Sequence, residues 1–214
     1  MPATRTREAL LVGLAAGSGA TDAFSFVALG HVFTSVITGN LVLVGVSIGA
    51  LSFADVLDIV VAVGCYLLAT AASARLLAGR VPAGTTWSSA LTSMLLAEAA
   101  VQAVVVVWWL VAPVRLLLIG LCAVAMGAQS ATVRAVPGTD LSTTYLTGTL
   151  TALVASFATG RRGSVGRAAG IGVLVTLVVG AIAEAALLRV LPQAGPALPL
   201  LVSLAVAVGA RLAL

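Results

Sequence analysis

Long apolar runs, separated by short clusters of glycine, proline and arginine, set the pattern of this chain. A transmembrane helix needs about 20 mostly apolar residues, and eight stretches meet that need: Glu8 to Leu29, Phe33 to Leu51, Val56 to Ala78, Trp87 to Val111, Arg115 to Ala135, Leu141 to Thr159, Ala168 to Val190 and Ala197 to Ala213. The second and sixth are short and rich in threonine and glycine. Each is either a full crossing or one arm of a re-entrant hairpin with the segment before it, because irregular backbone is tolerated at membrane depth where protein covers it. The pattern predicts an all-α polytopic membrane protein with six to eight membrane helices.

The second half of the chain repeats the first at a displacement of 108 to 109 residues. Gly19, Ala20, Ala23 and Gly30 match Gly127, Ala128, Ala131 and Gly138, and Thr34, Thr38, Gly39, Leu41 and Ser47 match Thr143, Thr147, Gly148, Leu150 and Ser156. The match divides one membrane domain into residues 1–112 and 113–214, four segments each. An even number of crossings returns a chain to its starting face, so the halves are expected to be parallel repeats about an axis along the membrane normal. With the N-terminus in the cytoplasm, Arg5, Arg7, Arg115, Arg161, Arg162, Arg167 and Arg211 lie inside and Arg75, Arg80, Arg134 and Arg189 outside, a modest bias in the positive-inside direction. Arg5 and Arg7 before an apolar run also suit a signal peptide. Arg7 and its run have an internal counterpart at Arg115, however, so the first segment is read as a retained helix.

Composition narrows the class. Of the residues 61% are hydrophobic and 8% charged, with mean hydropathy +1.19, whereas a soluble domain carries about a quarter charged residues. The net charge of +4 comes from eleven arginines and no lysine. Most of these sit at segment ends, where they meet lipid headgroups, so the lipid bilayer and not nucleic acid is the partner the basic balance implies. Cys65 and Cys122 lie inside apolar segments without metal or disulfide spacing and read as small buried residues. Gly13 and Gly17, Gly45 and Gly49, and Gly166 and Gly170 have the four-residue spacing of close helix crossings. Packing within one chain is preferred for most of them, and a homo-oligomer stays open.

Polar residues at membrane depth carry the functional expectation. Asp22 lies seven residues before the end of the first segment and Gly39 six after the start of the second, which at about 1.5 Å per residue puts both roughly 10 Å below one surface. If the halves face one another, Asp22, Thr38, Gly39, Asn40, Gln129, Ser130, Thr144, Thr147, Gly148 and Thr149 form one polar patch in the outer half of the bilayer. Arg134 is the expected partner of Asp22, since a buried aspartate there needs one or must be protonated. Threonine bonding back along its own helix is the structural alternative for the Thr-Gly pairs; Asn40, with four hydrogen-bonding sites, tilts the first pair toward binding. Glu98 and Gln102 share a helix face as a protonatable site or an interhelical bond. Glu184 with Arg189 reads as a headgroup-level pair, Asp55 with Asp58 as helix N-terminal charge at the inner start of the third segment, and His31 as a loop residue.

The runs Gly19-Ala-Thr-Asp22-Ala-Phe-Ser, Gly30-His-Val-Phe33-Thr and Thr38-Gly39-Asn40-Leu, with Met126-Gly-Ala-Gln129-Ser and Thr143-Thr-Tyr145-Leu-Thr147-Gly148-Thr149-Leu in the second half, resemble the YoaK family (domain of unknown function 1275). This is a group of small bacterial integral membrane proteins. The resemblance spans nearly the whole chain and implies multi-pass residence in the bacterial cytoplasmic membrane. It supplies no substrate, and Ser130 stands where the usual pattern has asparagine. Two functions are carried forward: a transporter for an unknown small solute or ion, with its site at the interface of the repeats, and a non-transporting scaffold or accessory subunit. No HExxH, no paired catalytic aspartates and no facing serine and histidine are present, so no enzyme and no cofactor are predicted.

Overall fold

An α-helix satisfies its backbone polar groups within its own segment, which the hydrocarbon interior demands, and each apolar run forms a helix over most of its described length. The computed structural model describes residues 2–82, 85, 87–137, 146–160 and 166–213, the side chains of 2–4 excepted. Its helices are α1 (Pro2–Ala28), α2 (Ile37–Gly49), α3 (Phe53–Leu77), α4 (Ser89–Val111), α5 (Arg115–Ala135), α6 (Leu146–Thr159), α7 (Arg167–Val190) and α8 (Ala197–Ala213), with one 3-10 turn at Pro192–Ala194. Six, α1, α3, α4, α5, α7 and α8, are long and apolar enough to cross a membrane. With 13 and 14 residues, α2 and α6 fall short.

The innermost helices are α1 and α5, 67% and 78% buried over their membrane windows, against 22–33% for the other four. Both carry many small and polar residues, which in lipid are driven to helix interfaces while Leu, Val and Ile face the acyl chains. Gly19 on α1 lies so close to α7 that a Cβ there would fall on the Leu177 carbonyl oxygen, and a Cβ on Gly180 would fall on that of Ala16. Gly127 on α5 approaches α3 similarly, 2.5 Å from a would-be Cβ to the Tyr66 carbonyl. Gly13 and Gly17 admit Val206 and Val202 of α8, whereas Gly45 and Gly49 have open space beside them.

Helix directions follow from which ends meet. Arg7 near the start of α1 donates to the Pro137 carbonyl just past the end of α5, at 2.6 Å. Gly30, just past the end of α1, lies against Arg115 at the start of α5 and against Asp58. The two central helices therefore run in opposite directions. By the same reading α1 and α7 run together, with Thr176 donating to the Val12 carbonyl at 2.8 Å, as do α3 and α5, joined by the Arg115–Asp58 ion pair near their starts. Two apolar clusters mark the ends of the bundle. One gathers Leu11, Leu77, Leu91, Val133, Val173 and Ala207 at what we call the first face, where α1 begins; the other gathers Leu29, Ile59, Val105, Leu118 and Leu188 at the second face, where α1 ends.

These directions correct the expectation of parallel halves. After α1 the chain turns at Gly30 and His31, both at positive φ, and dips back inward. α2 starts with Ile37 against the Tyr66 cluster at mid-depth, packs Leu43 and Val44 against the second-face cluster, and turns tightly at Leu51 into α3. It re-enters without crossing. α6 folds back on the start of α7 at the first face, with Leu153 against Gly170 and Ser156 accepting from Arg167. Three crossings precede α5 instead of four, and an odd number reverses the helix that follows.

Candidate functional site

Two groups of buried polar side chains stand out among the described residues. The first holds the re-entrant loop of residues 33–36. Asp22 Oδ1 accepts the backbone N–H groups of Thr34 and Ser35, each at 2.8 Å, and the Ser35 hydroxyl donates to Oδ2. Asn40 accepts the Phe33 N–H at 3.1 Å and returns its amide to the Phe33 carbonyl. Both side chains spend their hydrogen-bonding capacity on backbone that an unpaired loop would leave orphaned in a dry interior, where each such group is costly. Their burial, 7% and 0% exposed, is thus explained by the fold.

The polar patch expected at the meeting of the halves does not form. Arg134 is exposed in the last turn of α5 at the first face, while Asp22 serves the loop toward the second face. Thr38 and Thr147 are exposed, and Gly148 has nothing within 4 Å. Gly39 rests on Val36 and Phe33, Thr149 is buried on α6, and Thr144 lies outside the described residues. Because α5 opposes α1, the two Thr-Gly motifs end up toward opposite faces. Gln129 and Ser130 brace helices instead: Gln129 donates to the Ser18 hydroxyl at 2.7 Å and the Leu14 carbonyl at 3.3 Å, and Ser130 accepts from Tyr66 at 2.8 Å. Asp58, read from the sequence as simple helix-end charge, is 3% exposed and paired with Arg115.

The second group lies among α1, α4, α5, α7 and α8. Glu98 is 1% exposed, and its Oε1 accepts from Ser203 of α8 at 2.9 Å and from Gln102 at 3.2 Å. That arrangement leaves Glu98 Oε2 and Gln102 Oε1 buried without a hydrogen-bond partner in the protein. Glu184 on α7 is fully buried, and neither of its carboxyl oxygens has a partner. The expected headgroup pair with Arg189 is not made: Arg189 is exposed, and Glu184 turns inward beside Gly195. Gln102 lines a small cavity with Thr21, Phe24, Val105, Cys122, Pro196 and Pro199. Its volume of about 10 Å³ is near the lower limit for holding one water. Glu184 reaches the same neighbourhood through Gly195 and Phe24, and Cys122 lies within electrostatic range of both Glu184 and Asp22.

The distance of Glu184 from the helix end suggests a headgroup position, but the helix face it occupies decides otherwise. Gly180 and Leu188, one turn to either side, share its buried stripe, and a carboxylate on the stripe that carries the close-packing glycine points into the bundle. Ser203 gave no signal of its own, being one serine in an apolar run.

Compared with known proteins, the chain matches the family described as "Protein of unknown function (DUF1275)" over residues 10–209. It is similar to the UPF0700 transmembrane protein YoaK of Bacillus subtilis (strain 168), at 33% identity over 157 residues that cover 72% of this chain and 68% of that protein. No solved structure matches.

Proposed function

Since this chain belongs to the DUF1275 family of transmembrane proteins, which includes YoaK, we propose that it is a carrier for a small solute, built from two inverted halves that rock about the buried Glu98, Gln102 and Glu184. The observation that carries the reading is the exchange of partners between halves. Exchanging α1–α4 with α5–α8 turns the α1/α7 contact into α5/α3, α1/α8 into α5/α4 and α2/α3 into α6/α7, and all of these are made. Gly19 on Leu177 and Gly127 on Ala69 are the same contact at a displacement of 108. Inverted repeats that meet at an intramembrane polar site give two equivalent conformations, one open to each face, and this is the basis of alternating access. A re-entrant segment in each half, α2 toward the second face and α6 toward the first, fits the same plan.

Arginine placement supports residence in the bacterial cytoplasmic membrane with the N-terminus inside. Arg5, Arg7, Arg75, Arg80, Arg134, Arg167 and Arg211 belong to helix ends at the first face and only Arg115 and Arg189 to the second, among the described residues. This is a stronger positive-inside bias than eight crossings allow.

Native Cys122, on the cavity wall, tests the carrier reading without knowledge of the solute. In a Cys65→Ala chain, a membrane-impermeant thiol reagent is expected to reach Cys122 slowly from either side, in right-side-out and in inverted vesicles. Labelling from neither side under native conditions refutes the carrier and favours a scaffold.

A further inference from the structure

The unpartnered interior groups share one chemistry. Glu98 Oε2, Gln102 Oε1 and both oxygens of Glu184 are acceptors, all buried, while of the donors nearby the Ser203 hydroxyl and one N–H of the Gln102 amide bond Glu98 Oε1. An anion would meet two carboxyl groups here and, among the described residues, no cationic side chain. A carboxylate in hydrocarbon needs a proton or a cation as its counter-charge, and the described arginines cluster at the helix ends. The charged and titratable groups that face this region are Asp22 from α1, Glu98 from α4, Cys122 from α5 and Glu184 from α7, with Ser203 from α8. Asp22 is committed to the loop backbone.

We propose that Glu98, Gln102 and Glu184 form a binding site for a small monovalent cation, an alkali ion or ammonium, that exchanges against protons. Gln102 lines a cavity close to the size of one water, and the two carboxyl groups flank it, Glu98 one helical turn along α4 and Glu184 beside Gly195, next to the lining Pro196; a site of this size suits a dehydrated monovalent ion or ammonium. It does not suit magnesium, which keeps several waters in octahedral order. As the cation enters, a carboxylic O–H breaks and its proton leaves to water, so the buried charge stays balanced. The proposal names the coupling ion or substrate of the carrier described above, although the site itself rests on geometry alone.

Purified protein is titrated with sodium, potassium and ammonium chlorides against N-methylglucamine chloride at constant ionic strength, and the melting temperature is followed at several pH values. A saturable rise with one of these cations is expected, with an apparent Kd that grows as pH falls because protons compete. Which cation acts separates an alkali-ion site from an ammonium site. Glu98→Gln and Glu184→Gln should each weaken the apparent affinity at least tenfold. Should either fail to fold, loss of the protonated-acid C=O infrared band on adding the cation to unaltered protein reads the same exchange. No cation-specific shift at any pH, a shift that follows the anion, or a shift untouched by both variants with no change in the acid band overturns the proposal. Flux into proteoliposomes is measured separately: binding without flux keeps the site and removes the carrier, and flux indifferent to cation keeps the carrier and removes the site.

Discussion

Substituting Gly19 by alanine puts a methyl group on the Leu177 carbonyl of α7, with the carbonyl carbon 2.8 Å and the Cα 3.1 Å away. All three obstructing atoms are backbone, so no rotamer change makes room and α1 and α7 must move apart along their crossing. Overpacking a close contact costs about 1–3 kcal/mol, occasionally more, and alanine in place of helical glycine recovers about 0.5–1 kcal/mol. A net loss of about 1–2 kcal/mol is expected, read as a lower midpoint in SDS-induced unfolding from mild micelles. Gly180→Ala repeats the clash from the other helix, on the Ala16 carbonyl. Once either variant has separated the helices, the other methyl fits more easily, so the double variant should lose less than the sum. Gly45→Ala and Gly49→Ala, with open space around them, are expected to be neutral or slightly stabilising. A Gly19→Ala protein as stable as Gly45→Ala would show that the α1/α7 crossing is not as close as described.

Asp22→Ala removes the acceptor for two backbone N–H groups and the Ser35 hydroxyl, and at about 1–3 kcal/mol per stranded buried group it should abolish folded protein as judged by size-exclusion monodispersity, while Asp22→Asn, which keeps one carbonyl oxygen, retains part of it. Asn40→Leu leaves the Phe33 N–H and carbonyl unmet and is expected to cost about 2 kcal/mol in the same unfolding titration. Ser130→Ala removes the acceptor of the 2.8 Å bond from the Tyr66 hydroxyl and is expected to cost roughly 1 kcal/mol, whereas Thr38→Val, on an exposed position, should leave the midpoint unchanged.

Apolar run length sufficed to place the six crossing helices and to mark α2 and α6 as exceptional, because hydrocarbon thickness is a one-dimensional constraint that a sequence records directly. Whether a 13-residue helix crosses or returns depends on which backbone groups its neighbours can satisfy, and the bonds from Asp22 and Asn40 to residues 33–35 were not legible as such. That single ambiguity reversed everything after it: the direction of α5, the side on which Arg75, Arg80, Arg134 and Arg115 lie, and the imagined meeting of the two Thr-Gly motifs. Glycine spacing likewise pointed to Gly45 and Gly49, which touch nothing, and passed over the pair Gly19 and Gly180, which lie on different helices and become neighbours only in the folded bundle. Glu98 and Gln102 were recognised because an i, i+4 polar pair inside one apolar helix is a local signal.

Opposed halves have a direct topological signature. In cells expressing a Cys65→Ala, Cys122→Ala chain with a single new cysteine, Leu51→Cys in the α2–α3 turn should react with an impermeant maleimide from outside, and Thr159→Cys at the end of α6 only after permeabilisation. Equal accessibility of the two positions, which eight full crossings require, would contradict the account.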